Sequence, residues 1–263
     1  MEVRNKIAVI TGGETGIGAA LARSFSSAGA KHVVVAGLQK SKLQSVAEEV
    51  SGSAIQCDVT SEKEVERLVE KVEDSIGGID IFCSNAGVAL LGDEDAPDSD
   101  WEQSWRVHVM GHVYAVRSVA PKMALRKGGY LVHTASAAGL LSHIQSASYS
   151  VTKHATVAFA EWVSIKYRHE GIKVSVLAPQ AVRTPMLERP RGQDASVAGI
   201  DGVIEPAQLA ECVLQGIAEE KFLILPHIKV AEYMERKSEN IDLWLENMNL
   251  WRQKTGAANI QKE

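Results

Sequence analysis

Cysteine is scarce in this chain, and long apolar runs are missing. Its three cysteines, Cys57, Cys83 and Cys212, are an odd number without metal-ligand spacing. Cys57 and Cys83 close apolar runs, so buried free thiols are expected, as suits a reducing cytoplasm. No apolar stretch reaches the roughly 18 residues that span a bilayer. In the opening MEVRNKIAVITGG the apolar run is only Ile7 to Ile10, and no small-residue cleavage region follows, so no signal peptide is expected. Basic excess is lacking as well: the formal net charge is −5, which leaves no broad footprint for nucleic acid. His108, His112, His133, His143 and His154 form no spaced carboxylate–histidine set, so no metal is implied. The expectation is a soluble, cytoplasmic protein without nucleic-acid or membrane partners.

What is present is an alternation. The 263 residues are 45% hydrophobic and 23% charged, ordinary for one large α/β domain or two small ones. Strands are predicted at Lys6–Thr11, Val33–Ala36, Ala54–Cys57, Ile79–Cys83, Gly128–Thr134, Ile172–Leu177 and Lys221–Leu225. Helices are predicted between them, over Gly16–Ala28, Lys42–Val50, Ser61–Ile76, Trp101–Met123, Ser146–Glu170 and Glu205–Glu219. Ser61 and Glu64 have the spacing of a capping box. Strands alternating with helices at this spacing imply a doubly wound, Rossmann-like parallel sheet of about seven strands, with helices on both faces. No linker or repeat interrupts the first 180 residues, so 1–263 reads as one domain. It carries a loop at about 186–202 and a polar helix with apolar punctuation at about 231–254. Packing on its own domain and contact between subunits are comparable uses for that last helix.

Two stretches carry chemistry. The first strand runs into Thr11-Gly12-Gly13-Glu14-Thr15-Gly16-Ile17-Gly18. A glycine turn between first strand and first helix lets backbone approach a pyrophosphate at a helix N-terminus. The second stretch, Ser136 to Lys153, holds Tyr149 and Lys153 one helical turn apart, with Ser136 at the end of an apolar run. A cation so placed favours the phenolate and lowers a tyrosine pKa from about 10. Tyr-x-x-x-Lys alone is weak, because such pairs arise often by chance; its context selects it.

With both stretches in hand, the chain resembles the short-chain dehydrogenase/reductase family, from about Lys6 to Leu225. Asn85-Ala86-Gly87 is similar to the family's N-A-G element, which supports the sheet and lines the cofactor cleft. Asp58-Val59 resembles its adenine-contacting pair, and Pro179 to Thr184 the segment whose Val182 and Thr184 contact the nicotinamide carboxamide. The resemblance implies Tyr149 as general acid/base, Lys153 depressing its pKa and holding the nicotinamide ribose, and Ser136 bonding the reacting oxygen. The implied reaction is hydride transfer between NAD(P) and a secondary alcohol or ketone. Leu140, Leu141, His143, Gln145, Gln180, Met186 and Leu187 are expected to border the substrate, and a homodimer or homotetramer is implied.

The second strand leaves the cofactor open between NAD(H) and NADP(H). Gly37 stands where an acid would accept from ribose hydroxyls, and Leu38 where NADP users often carry arginine. Thr15 holds a position that is sometimes basic in NADP users, while Gln39 can bond a ribose and Lys40 or Lys42 can reach a phosphate. Two positions depart from the family. His108 stands where asparagine usually helps hold a proton-relay water; it either keeps the relay and adds a pH dependence or merely fills a helix bend. Gln180 follows Pro179 where glycine is common, which predicts a polar substrate contact. Two other readings share these residues. One is a nucleotide-binding regulator without turnover; the other is an epimerase or dehydratase on a related fold.

Overall fold

The computed structural model describes residues 1–188 and 199–255. Strands β1 (Ile7–Thr11), β2 (His32–Gly37), β3 (Ser53–Gln56), β4 (Ile81–Ser84), β5 (Gly129–Thr134), β6 (Ile172–Leu177) and β7 (Leu223–Ile224) form one sheet. Its order is β3-β2-β1-β4-β5-β6-β7, with every pair parallel. The chain reverses its direction of winding between β1 and β4, the crevice where open α/β sheets place ligands.

β1 shows why the register is firm. All five of its residues are buried. Ala8 and Ile10 join the core on one face, while Ile7 and Val9 join the core on the other. Burying each larger side chain contributes roughly 1.5–3 kcal/mol, and a slip by one residue would exchange the two faces. Helices α1 (Gly16–Ser27), α2 (Lys40–Glu49) and, later in the chain, α8 (Pro206–Ala218) cover the first face. Helices α3 (Glu62–Ser75), α5 (Gly111–Leu125) and α7 (Ala147–Tyr167) cover the second.

Three expectations need correction. The capping box at Ser61 is not formed: the Ser61 side chain makes no cap bond, and Glu64 instead accepts the Asp58 N–H at 2.9 Å. Asp58 in turn accepts the Thr60 N–H at 2.9 Å, so the acids shape the strand-to-helix loop rather than close the helix start. The long helix at Trp101–Met123 is three pieces: α4 (Asp98–Trp105), a π-helical turn (Arg106–Met110) and α5. The π turn widens the helical circuit by one residue, and Val107, His108 and Val109 are all buried in it.

The polar helix at 231–254 is two helices, α9 (Lys229–Glu239) and α10 (Ile241–Lys254). Asn240 between them has extended backbone, and its side-chain oxygen accepts the Leu243 N–H at 3.0 Å. An asparagine N-cap starts a new helix where apolar spacing alone reads straight through. The middle of the expected substrate loop, 189–198, lies outside the described residues. No helix among the described residues is long and apolar enough to cross a membrane.

Candidate active site

The C-terminal ends of the strands open into a cleft of about 590 Å³. Its floor is the glycine turn. Gly12 has φ +62°, and a Cβ there would stand 2.9 Å from the Ala86 backbone, so only glycine lets the turn lie against the β4 end. Thr15 precedes α1 in extended conformation without a side-chain cap, which leaves the first amides of α1 facing the cleft. Gly16 and Ile17 line the opening; Gly18 sits behind it, against the Gly12 carbonyl.

Asn85 ties the floor together. Its Nδ2 donates to the Thr11 carbonyl at 3.0 Å, and its Oδ1 accepts from the Thr134 hydroxyl at 3.2 Å. Its backbone N–H donates to Thr11 Oγ1 at 3.0 Å, and the Ala86 N–H to the same oxygen at 3.2 Å. One side chain thus joins the ends of β1, β4 and β5. Asp58 and Val59 line the cleft, as do Pro179, Val182 and Thr184. Gly37 and Leu38 lie at its edge, but Lys40 and Lys42 are exposed and do not line it.

Tyr149 and Lys153 enter from α7. Ser146 starts that helix: its Oγ accepts the Tyr149 N–H at 3.3 Å and donates to the Leu90 carbonyl at 2.6 Å, fixing the first turn. One turn on, Lys153 Nζ donates to the Thr134 carbonyl at 2.9 Å and lies 5.6 Å from the centre of the Tyr149 ring. Ser136 accepts the Ala138 N–H at 3.1 Å and donates to the Pro179 carbonyl at 3.3 Å. All three side chains line the cleft.

The electrostatics differ from expectation. Burial pushes the Tyr149 phenol above its ordinary value, and the Ser136 hydroxyl beside it pulls the other way. Burial also brings Lys153 down to about 7. Burial outweighs the Ser136 hydroxyl, so the phenol stands above rather than below its ordinary value.

His108 is likewise corrected. Its edge faces the Tyr149 ring with centroids 5.5 Å apart, and Nε2 borders Gly87 beside Lys153 Nζ. Burial first, then the Lys153 charge, holds it well below the ordinary histidine range. A titration near neutrality does not fit this site.

The family model of the short chain dehydrogenases matches residues 6–195. This chain is a member of the short-chain dehydrogenase/reductase family. It is 34% identical over 236 residues to 1-deoxy-11-beta-hydroxypentalenate dehydrogenase of Streptomyces exfoliatus, covering 85% of this chain and 84% of the relative. It is 29% identical over 230 residues to D-beta-hydroxybutyrate dehydrogenase of Rhizobium meliloti, covering 85% and 88%. A Burkholderia phymatum short-chain dehydrogenase/reductase, solved in complex with NAD, superposes with TM-score 0.82 at 28% identity, covering 92% of this chain and 96% of that one. The family and the glycine cradle agree on a nicotinamide cofactor.

This family member has a second cavity, of about 270 Å³, that its sequence did not announce. Ser136 and Gln180 belong to both cavities, so the two meet there. Leu141 and His143 line the second, whereas Met186 and Leu187 line the first. Its outer wall is Tyr233, Trp244, Met248 and Trp251 from α9 and α10. Lys237 Nζ donates to the Leu140 carbonyl at 2.6 Å and an Arg252 Nη1 to the Ile144 carbonyl at 2.8 Å, clamping both helices over the segment that follows Ser136. The apolar punctuation of those helices was the available signal; nothing in its spacing says which surface it meets.

Gln180 is partly committed. Its Nε2 donates to Asp201 at 2.9 Å, and Asp201 also takes the Tyr233 hydroxyl at 3.1 Å and Lys229 Nζ at 3.0 Å. Its Oε1 is buried without a partner among the described residues, as is His143 Nε2. His143 Nδ1 accepts the Gln145 N–H, so Nε2 carries the proton, and burial lowers its pKa to about 4. Gln180 thus brings an unpaired acceptor and His143 an unpaired donor to a lining that also holds Ser136, Ser142 and Asn247.

Proposed function

We propose that this protein transfers a hydride between NAD(P) and a medium-sized, largely apolar secondary alcohol or ketone, with Tyr149 as general acid/base. The observation that carries the reading is that Ser136 is shared by the glycine-floored cleft and the apolar cavity, with Tyr149 and Lys153 in the same cleft wall. The residues fit a dinucleotide. Gly12 and the open amides of α1 suit its pyrophosphate, Asp58 and Val59 its adenine, and Val182 and Thr184 its carboxamide. When bound, the nicotinamide supplies the hydride acceptor or donor.

The chain's own groups do the rest. Tyr149 gives a proton to the carbonyl oxygen in reduction and takes one from the hydroxyl in oxidation. Ser136 donates to the same oxygen as charge develops there. Lys153 holds the nicotinamide ribose. Trp244, Met248 and Trp251 exclude water and seat the apolar body of the substrate, while Gln180 Oε1 and His143 Nε2 meet polar groups on it. Assembly into a dimer or tetramer belongs to the same proposal, supported by Val151, Trp162 and Ile165, which are exposed apolar residues along α7. So does a cytoplasmic setting.

The test is a panel of secondary alcohols and ketones, run with NAD and NADP separately, following absorbance of the reduced nicotinamide. Turnover lowered by about 10²–10⁴ in Tyr149→Phe is the expected result. Tight cofactor binding with no turnover across the panel would instead favour a regulatory nucleotide-binding protein.

A further inference from the structure

The end of β2 carries no acid, yet a carboxylate is there. Gly37 is buried, and a Cβ added to it would collide with the carboxyl group of Glu14, which comes from the glycine turn. Glu14 Oε1 accepts the Leu38 N–H at 3.1 Å, which fastens the carboxylate over the strand end. Oε2 is buried without a partner among the described residues, and Glu14 lines the cleft. An unpaired carboxylate oxygen in such a place calls for a donor, since a buried acceptor left unmade costs free energy. The glycine and the glutamate explain each other: the strand contributes the space and the turn contributes the acid.

We propose that Glu14 recognises the adenosine ribose by accepting from its hydroxyls, and that it selects NAD(H) against NADP(H). This rests on the nicotinamide-cofactor reading above and resolves what the β2 sequence left open. A carboxylate at the β2 end accepts from vicinal hydroxyls, and its charge repels a 2′-phosphate. Among the described residues, the cations available to offset that repulsion are badly placed. Lys40 and Lys42 do not line the cleft, Thr15 is neutral, and Lys153 is tied to the Thr134 carbonyl among the reacting groups. Arg106, on the exposed side of the π turn, is the remaining cation of the lining among the described residues, and it shares its wall with Glu102.

The experiment is isothermal titration of the full-length protein with ADP-ribose and with 2′-phospho-ADP-ribose. Neither ligand contains nicotinamide, so the result does not depend on turnover. A protein inactive on every alcohol and ketone yet showing this preference would refute the reaction and leave the ribose assignment standing. The parent is expected to bind ADP-ribose at least about 10-fold more tightly than the 2′-phosphate. Glu14→Gln should weaken ADP-ribose roughly 10- to 100-fold and narrow the gap between the two ligands. A paired exchange, Glu14→Ser with Gly37→Asp, returns an acid to the strand and should restore the preference. Equal or tighter binding of the 2′-phosphate by the parent, lost in Arg106→Ala, would overturn the proposal. So would Glu14→Gln leaving both constants unchanged in a protein whose melting curve matches the parent's.

Discussion

His108 Nδ1 lies 2.9 Å from the Thr152 hydroxyl, and that hydroxyl already donates to the Ser148 carbonyl at 2.8 Å. The hydrogen between them therefore belongs to His108. On the other side of the ring, Nε2 accepts the Val88 N–H at 3.1 Å. A second proton on the ring would remove that acceptor in a site where His108 is fully buried. The ring is locked in one neutral tautomer.

The first prediction follows from that lock. Asparagine can accept from the Val88 N–H and donate toward Thr152 as the neutral imidazole does. The pH–rate profiles of the parent and His108→Asn should superimpose in shape between pH 5 and 9. Thr152→Val, by leaving the Nδ1 proton without an acceptor, should cost about 1–3 kcal/mol of stability in a denaturant titration. A profile that loses a limb near neutrality in His108→Asn would show that His108 titrates after all.

Tyr149 sets the second. With its pKa raised by burial, the phenol is protonated at neutral pH and ready to donate. Ketone reduction should hold its rate at and below pH 7, whereas alcohol oxidation needs the phenolate and should climb toward alkaline pH. Tyr149→Phe should lower kcat by about 10²–10⁴ in both directions without changing the far-UV circular dichroism. Oxidation that is flat from pH 6 to 10 would contradict the assignment.

Lys153 makes the third, in stability. Its folded pKa of about 7 lies below the ordinary 10.5, so between these values the unfolded chain binds more protons. Stability from this group therefore rises with pH across that window. Between pH 7 and 9 the gain is about 2 kcal/mol, at up to 1.36 kcal/mol per pH unit. The buried thiol of Cys57, pushed up to about 12, opposes the rise only above its ordinary value of 9.0. Urea titrations at pH 7 and 9 should show the gain in the parent and its loss in Lys153→Met. Equal gains in both proteins would mean the lysine keeps its charge when buried.

Gln180 makes the fourth. Asp201 takes one amide hydrogen, and the unpartnered atom is the carbonyl oxygen, which selects substrates bearing a hydrogen-bond donor. Gln180→Gly should raise KM for hydroxylated ketones roughly 10-fold relative to their deoxy analogues, with kcat changed far less. An unchanged ratio between the two substrate series would remove Gln180 from the substrate contact.

Much of this was legible without coordinates because it is local or ordered along the chain. The alternation of β-branched runs with amphipathic helices determined a parallel sheet, and Gly12, Asn85, Tyr149 and Lys153 marked its ligand-bearing edge by sequence spacing. What sequence could not decide depended on burial and on partners far along the chain. Whether Lys153 depresses Tyr149, or His108 titrates, turns on desolvation of both groups, which spacing does not encode. That α9 and α10 wall a cavity beside Ser136 is a contact across about a hundred residues, invisible to the periodicity of either helix. The vacancy at Gly37 reads from sequence as a missing acid. Only folding brings Glu14 over it, because the turn after β1 and the end of β2 become neighbours when the strands pair.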